Sequence, residues 1–416
     1  MNNPISLLSL ANFTIFLSLS AVFLGCRHTF TPQLTDDSVE VIALGEFEKL
    51  NFKETFVINR YVPLLSVEGM EYLHKIDKVR IYEDDIYVLQ EQLDRTLFKF
   101  SSEGIMRKSI DGVNAIDKKF YAVNDFVVRN NEVVLTDRLQ SQIIFYDRDL
   151  NYLRHLDLNL PNGLVNLNFL PSGKIVARPV IENGEPSSLY LNSPENPAVF
   201  MPMIGFKGIA QTPAALDRVM MYETFFPSAS FNSMLYADLW HGNIWEVDET
   251  GVKEKYRVEI PKSLQFSQEE LQAMEHMNAE EILYHTLNLK REKFILFDQI
   301  FENEEMLIIS FTRPWRRNLI IKNKITGKIE YKAIHFDDLT PNNIDQSLPL
   351  KYLIGFTDTG ELIFYHDAEE FKNRADAMKY EHPSNHQFTS EETQFLAAAN
   401  QINENCSVVL TFVSIR

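Results

Sequence analysis

The chain has 416 residues, of which 45% are hydrophobic and 24% are charged, so it can bury a large core. Its formal net charge is −18. A surface this acidic repels phosphate backbones, and the densest basic group holds only Arg313, Arg316 and Arg317. The composition therefore argues against a nucleic-acid-binding protein.

The first 25 residues have the pattern of an export signal. Residues 5–25 carry no charge, which is typical of the hydrophobic region of a secretory signal peptide. The stretch ends in Phe23-Leu24-Gly25-Cys26, and a small residue directly before a cysteine resembles the lipobox of bacterial lipoproteins. That resemblance implies a signal peptide over residues 1–25, a lipid on Cys26 and a linker over residues 26–38.

Two alternatives for this segment remain open on the residues alone. The apolar stretch is near the length that spans a bilayer, so it could stay as an uncleaved anchor. A signal that is cleaved to release a soluble protein also fits. All three interpretations place the rest of the chain outside the cytoplasm. With Cys26 acylated, Cys406 has no partner in the chain, and we expect no disulfide.

From residue 75 onward, a unit of alternating apolar runs and polar turns recurs. The equivalent residues Phe100 and Tyr146 of its first two copies are 46 residues apart, which fits four-stranded propeller blades. Four looser copies follow. The sequence predicts an all-β fold, a six-bladed β-propeller over residues 39–416, with five or seven blades as alternatives.

Repeated blades bury their faces only by stacking, so their ends must be capped or must meet in a ring. We expect the strand Val39–Leu44 to complete the blade that contains Val408–Ile415. Helical insertions are predicted near residues 267–290 and 367–405, the first from the capping-box spacing of Ser267 and Glu270. Such insertions either shape the mouth of the channel or cover exposed strand edges.

Together these units resemble the six-bladed β-propeller lipoproteins of unassigned function, which are relatives of the NHL-repeat propellers. The lipobox-like residues, the strand Asp37–Leu44 and the blade sequences Val79–Leu89 and Ile144–Leu150 carry the resemblance. It covers residues 37–416 and implies a location and a shape, not a reaction.

Two predicted loops offer side chains for ligand binding. Aromatic and arginine side chains on propeller loops can stack on sugar rings or bind a carboxylate. Packing between blades and pairing with neighbouring acids are the structural alternatives. The candidate ligand-binding residues are Trp240, His241, Arg313, Trp315 and Arg316.

A calcium site is the main alternative. Propeller enzymes of the lactonase type hold calcium with acidic and amide side chains around the channel, and oxygen ligands suit this ion. Turn formation explains the same residue types at strand ends equally well. By position, the candidates are Asn124, Asp125, Asp137, Asn166, Asn168, Asp238 and Asp298.

No residue is predicted to be catalytic, since the sequence lacks a Gly-x-Ser-x-Gly elbow and a His-Glu-x-x-His zinc motif. We therefore expect a non-catalytic, monomeric propeller lipoprotein of the cell envelope. It would be tethered to the outer membrane, facing the periplasm or the exterior, and would bind a glycan, a peptide or an envelope protein without a cofactor. A calcium-dependent hydrolase or lyase is the alternative function.

Overall fold

The structure of the chain is a computed structural model. The structure describes the following residues: 39–67, 73, 76–90, 96–112, 120–121, 123–158, 160, 163–179, 188–192, 196–205, 223–230, 232–237, 242–265, 267–275, 277, 281, 296–313, 316–335, 352–382 and 386–416. The predicted signal peptide and Cys26 lie outside these residues.

Three strands precede a series of six blades. They are β1 (Glu40–Ala43), β2 (Glu48–Lys49) and β3 (Phe56–Leu65). Blade 1 consists of β4 (Lys78–Tyr82), β5 (Asp85–Gln90), β6 (Thr96–Ser101) and β7 (Met106–Asp111). Blade 2 consists of β8 (Val123–Arg129), β9 (Glu132–Asp137), β10 (Gln142–Asp147) and β11 (Tyr152–Asp157). Blade 3 consists of β12 (Leu164–Phe169), β13 (Ile175–Pro179), β14 (Ser188–Asn192) and β15 (Phe200–Gly205).

The remaining blades repeat this antiparallel arrangement. Blade 4 consists of β16 (Phe225–Pro227), β17 (Met234–Ala237), β18 (Asn243–Val247) and β19 (Val252–Glu259). Blade 5 consists of β20 (Leu296–Glu302), β21 (Met306–Arg313), β22 (Arg316–Asn323) and β23 (Ile329–His335). Blade 6 consists of β24 (Tyr352–Phe356), β25 (Leu362–Asp367), β26 (Cys406–Ile415) and, from the start of the chain, β3. The predicted six-bladed fold is confirmed.

The strand that closes the ring is not the one expected from the sequence. Blade 6 is completed by β3, which pairs antiparallel with β26 along its whole length. The predicted closing strand corresponds to β1, which instead pairs parallel with β19 at the edge of blade 4. The burial of the two strands explains the difference: β3 buries six of its ten side chains, whereas β1 buries only Ile42. A strand that fills an interface between blades needs the larger apolar surface.

Tight turns between the strands follow from local sequence. Asn130 and Asn131, which connect β8 to β9, both have positive φ angles of 46° and 61°. Two such residues in succession form the turn whose twist matches an antiparallel hairpin, and asparagine tolerates this conformation better than most residues. The polar turn that the sequence predicts here is therefore the turn that the structure has.

The apolar side chains form a separate core at each junction between neighbouring blades. The junction of blades 1 and 6 shows that the ring is closed, because Val88 and Phe98 of blade 1 pack in one cluster with Ile363 and Leu410 of blade 6. Equivalent clusters lie at the five other junctions. Each blade thus buries both faces against its neighbours, which no blade could do alone.

Helices are few in the described part of the chain. They are α1 (Phe52–Thr55), α2 (Gln268–Glu275), α3 (Ala368–Glu381) and α4 (Ser390–Gln401), with one 3₁₀ turn at Lys262–Leu264. The predicted capping box before α2 is present: the Ser267 amide donates to Glu270 (2.7 Å), and the Glu270 amide donates to the Ser267 hydroxyl (3.2 Å). Helices α3 and α4 pack on blade 6, where α4 contacts the outermost strand β3. None of the described helices has the length and apolarity to cross a membrane.

A buried ion network connects blades 4 and 5. The ammonium group of Lys255 lies 2.9 Å from a carboxylate oxygen of Glu246 and 2.9 Å from one of Glu302. Glu302 also pairs with Lys324 at 2.8 Å and accepts a hydrogen bond from the Tyr256 hydroxyl at 2.5 Å. Because each carboxylate is compensated by cations and hydroxyl donors, both stay ionised despite their burial.

Cys406 lies at the start of β26 and is buried. Its thiol donates a hydrogen bond to the carbonyl of Val408 at 3.5 Å. Burial raises the pKa of this thiol to about 11, so at neutral pH it is protonated and a poor nucleophile.

Candidate ligand site at the channel mouth

The first strand of each blade lines a central channel. Strand β4 contacts β8, β8 contacts β12, and the series continues through β16, β20 and β24 back to β4. Because every blade repeats the same meander, all six inner strands begin at the same end of the channel. We call this end the upper mouth. Side chains at the first and third positions of the inner strands therefore converge there.

An ion cluster crosses the channel at the upper mouth. Lys78 and Arg80 are the first and third residues of β4 in blade 1, and both pair with Glu223, which lies two residues before β16 of blade 4. Blades 1 and 4 are opposite each other in a ring of six. The Lys78 ammonium also pairs with Asp125, the third residue of β8. Side chains from opposite blades thus fill the channel at this level.

A chain of hydrogen bonds extends the cluster through blades 2, 3 and 4. The second carboxylate oxygen of Asp125 accepts from the Leu167 amide (3.1 Å) and from the Asn166 side-chain amide (3.4 Å). The Thr224 hydroxyl donates to the Asn166 side-chain oxygen at 3.2 Å. Each of these groups is buried, and the chain holds three blades in register at the mouth.

The charges of this cluster balance, with two cations and two carboxylates. Burial opposes ionisation of Glu223, but the nearby charges of Arg80 and Lys78 outweigh it and hold the pKa of this carboxyl below its usual value. Burial raises the pKa of Asp125 above its usual value against the opposing charge of Lys78. Of the four side chains, that of Arg80 is the most accessible, with 27% exposed.

Blades 5 and 6 complete the mouth with a charged pair and an aromatic pair. The Arg317 guanidinium donates to a carboxylate oxygen of Asp298 at 2.6 Å and to the Ser310 hydroxyl at 2.9 Å. Tyr352, the first residue of β24, stacks on Tyr365 with ring centroids 4.7 Å apart and planes 14° apart. Burial raises the pKa of Tyr365. The negative charge of Asp77 raises this pKa further, and the positive charge of Arg317 opposes the increase.

Tyr365 packs against the apolar core between blades 1 and 6. Tyr352, whose ring stacks on it, is 49% exposed as a residue. The upper mouth therefore has an exposed aromatic residue, Tyr352. Its floor is formed by the paired charges of Lys78, Arg80, Asp125 and Glu223.

Of the predicted ligand-binding residues, only Arg316 is described with its side chain. Trp240, His241 and Trp315 lie outside the described residues, as does the side chain of Arg313. Strand β17, which precedes the first pair, ends at Ala237, whose amide donates to the Thr224 carbonyl at 3.0 Å. Arg313 and Arg316 face each other across the β21–β22 hairpin, and Arg316 is partly exposed.

The predicted calcium ligands divide into two groups. Asp125, Asn166 and Asp298 lie at the upper mouth, where their partners are those given above. Asp137 forms a turn, since its carboxylate accepts from the Tyr121 amide (2.8 Å) and the Gln140 amide (3.2 Å). Asn168 accepts a hydrogen bond from the adjacent Phe169 amide. The side chain of Asn124 and all of Asp238 lie outside the described residues.

Four residues of the mouth are not among those predicted from the sequence: Lys78, Arg80, Glu223 and Tyr352. One signal was available for the first two: in Lys78-Val79-Arg80-Ile81 the cations alternate with apolar residues, which places both on one face of a strand. On an inner strand, that face points to the channel. No local signal marks Glu223, because its partners are 143 and 145 residues away in the sequence.

Comparison with protein families and solved structures supports the fold. Residues 31–174, which include blades 1 and 2, match a family described as a 6-bladed beta-propeller. No protein among the curated sequences matches the chain.

Three solved structures illustrate the structural similarity. A candidate exported protein from Bacteroides fragilis is 15% identical with a TM-score of 0.66, over 90% of this chain and 99% of that one. A member of another uncharacterised family, from Bacteroides vulgatus, is 12% identical with a TM-score of 0.47, over 87% and 98%. Virginiamycin B lyase from Staphylococcus aureus is 10% identical with a TM-score of 0.40, over 74% and 81%. At these identities the similarity concerns the fold alone.

Proposed function

We propose that this six-bladed propeller is a non-catalytic carbohydrate-binding protein of the bacterial cell envelope, tethered by a lipid on Cys26, with its binding site at the upper mouth. The observation that carries the proposal is the exposed ring of Tyr352, which is held flat by Tyr365 beside a floor of polar side chains. A rigid aromatic face next to hydrogen-bonding groups is what the apolar face and the hydroxyls of a sugar ring require.

The charge distribution favours a neutral sugar. The cluster of Lys78, Arg80, Asp125 and Glu223 balances internally, so the floor of the mouth offers hydrogen-bonding groups without a net charge. The whole chain carries a charge of −18, which repels acidic sugars at long range. A neutral oligosaccharide avoids that repulsion.

The pairing of the carboxylates supports binding rather than catalysis. A general acid or base has to reach the substrate, and its pKa has to lie near the working pH. Glu223 is held ionised by two cations, and Asp125 is buried beneath Lys78. Neither carboxylate is arranged to exchange a proton with a bound sugar.

The position of Lys78 bears on the calcium alternative in the same way. Its ammonium group lies between the carboxylates of Asp125 and Glu223, where a calcium ion held by these two residues would have to lie. A lysine in that position supplies the compensating charge itself. The proposed site therefore needs no cofactor.

The proposal predicts that Tyr352→Ala weakens binding of the recognised neutral oligosaccharide about tenfold, which corresponds to one lost aromatic stacking contact. The measurement is a screen of neutral and acidic oligosaccharides and of peptides with the purified full-length protein, followed by titration calorimetry of the best ligand. Tyr380→Ala is the matched control, because Tyr380 is 92% exposed on helix α3 and should leave affinity unchanged. A peptide as the best ligand, or equal affinities of both variants, would refute the carbohydrate site.

The envelope location is supported by the lipobox-like residues before Cys26 and by the similarity to a candidate exported protein. In addition, residues 36–416 form one compact unit, and the linker expected over residues 26–38 would follow the lipid on Cys26. Acyl chains on the cysteine would hold this unit at the outer membrane.

The tether predicts that Cys26→Ser abolishes incorporation of a labelled fatty acid and the recovery of the protein in the membrane fraction. Cys406→Ser is the matched control and should retain both, since Cys406 is buried in β26. Labelling that persists in Cys26→Ser would exclude this cysteine as the lipidation site. Membrane association without any label would favour an uncleaved anchor.

A further inference from the structure

Two histidines and a glutamate come together where helices α3 and α4 meet. His382 caps the end of α3, His386 follows in the connection, and Glu392 lies in the first turn of α4. One possible ligand atom of each residue lies within 4.8 Å of the others. We propose that this cluster binds a zinc-type divalent metal ion, independently of the carbohydrate site.

The glutamate is positioned by its own helix. Glu392 is the third residue of the capping box of α4: its carboxylate accepts from the Thr389 amide at 2.7 Å, and its own amide donates to the Thr389 hydroxyl at 3.2 Å. A backbone hydrogen bond of this kind fixes the direction of a carboxylate, as outer-shell hydrogen bonds do for metal ligands. The same carboxylate lies 4.0 Å from the His386 ring nitrogen.

The two imidazoles are held together by an aromatic neighbour. Their rings are stacked with centroids 3.8 Å apart and planes 12° apart. Phe388, which is partly buried against the core between blades 5 and 6, lies nearly perpendicular to both rings, with centroid distances of 5.6 Å to His382 and 5.0 Å to His386. The histidines are therefore brought together by packing before any ion is present.

The ligand set selects the class of metal. Two imidazoles and one carboxylate suit zinc and related transition ions, whereas calcium prefers oxygen ligands alone. Ligand atoms on one tetrahedral zinc ion lie about 3.3 Å apart, so small side-chain rotations must bring these groups closer. His386 is exposed and His382 partly exposed, so both rings can turn out of their stack towards a shared ion.

Binding would fix the connection between the two helices. The ion would join the end of α3 to the start of α4 and leave a fourth coordination position for water or for a ligand from another molecule. Because α3 and α4 already pack on blade 6 through buried residues such as Phe371 and Phe395, the fold does not depend on the ion. The metal should stabilise a protein that is already folded.

The test is a titration of the metal-free, full-length protein with Zn²⁺, read by calorimetry and by the melting temperature. We expect one equivalent to bind and the melting temperature to rise with Zn²⁺ concentration. The same titration with Ca²⁺ should give neither effect. Co²⁺ in place of Zn²⁺ should give the visible absorption of a site with nitrogen and oxygen ligands.

Three variants separate a specific site from surface binding. His386→Ala and Glu392→Gln should each weaken Zn²⁺ binding at least about tenfold, while their metal-free melting temperatures show whether they are folded. His155→Ala is the matched control: this histidine is exposed on β11, next to Asp157, and its loss should not change the affinity. Equal Zn²⁺ affinity of the wild type and His386→Ala would overturn the proposal.

Discussion

Replacing Lys78 with methionine is expected to lower the free energy of unfolding by about 3–5 kcal/mol, the usual cost of removing one partner from a buried ion pair. Methionine keeps most of the apolar stem and removes the ammonium group. Asp125, which is 1% exposed, then loses its cation, and Glu223 retains only Arg80. Urea unfolding of the wild type and the variant at pH 7 measures the loss.

Two further variants show whether the loss comes from uncompensated charge. In Lys78→Met with Asp125→Asn, the remaining charges of Arg80 and Glu223 balance, and part of the lost stability should return. Lys328→Met is the matched control, because it breaks the ion pair between Lys328 and Glu330 (2.6 Å). The Lys328 side chain is 70% exposed, and surface ion pairs contribute little to stability. If Lys78→Met and Lys328→Met were equally mild, the cross-channel cluster would not be a desolvated ion network.

The second large effect is expected from Glu246→Gln, and it depends on pH. Burial would raise the pKa of Glu246, but hydrogen bonds from Lys255, Lys253 and Ser233 outweigh it and lower the pKa from 4.5 to about 2. A carboxyl group whose pKa is lower in the folded than in the unfolded state stabilises the folded protein. Its full contribution is present at a pH above the pKa of the unfolded state. That contribution is lost as the pH falls to the pKa of the folded state.

At pH 7 the glutamine variant should therefore be less stable than the wild type by about 1–3 kcal/mol. The lower end allows for solvent screening at the edge of the network, where Lys253 is 61% exposed. The difference between the two proteins should shrink between pH 4.5 and about 2. Urea unfolding across this range is the measurement, and Glu249→Gln, in the exposed turn of the same hairpin, is the control. A stability difference that did not change with pH would show that Glu246 acts through its shape and not its charge.

The sequence predicts most of the fold because the blades are locally encoded. Alternating apolar residues specify strands, and polar turns such as Asn130-Asn131 specify where each strand reverses. The prediction of which strand closes the ring was wrong, because β1 and β3 both look like strands near the start of the chain. Their partners, β19 and β26, lie about 200 and 350 residues further along, and local patterns carry no information on which distant strand is met.

The candidate site is predictable only in part, for the same reason. Asp125, Asn166 and Asp298 could be selected because they recur near the starts of inner strands. Glu223 could not be selected, because its role depends on ion pairs with Lys78 and Arg80 on the opposite side of the ring. The metal cluster is different again: Glu392 follows His386 by only six residues, but the role of the pair depends on His382 at the end of the preceding helix.

The use of β3 to complete blade 6 has a consequence for the order of biosynthesis. The segment Phe56–Leu65 is made about 350 residues before its partner Cys406–Ile415. The early strands β1 and β2 likewise wait for blades 4 and 5. The ring can therefore not close before Cys406–Ile415 has emerged, and until then Phe56–Leu65 has no native partner strand.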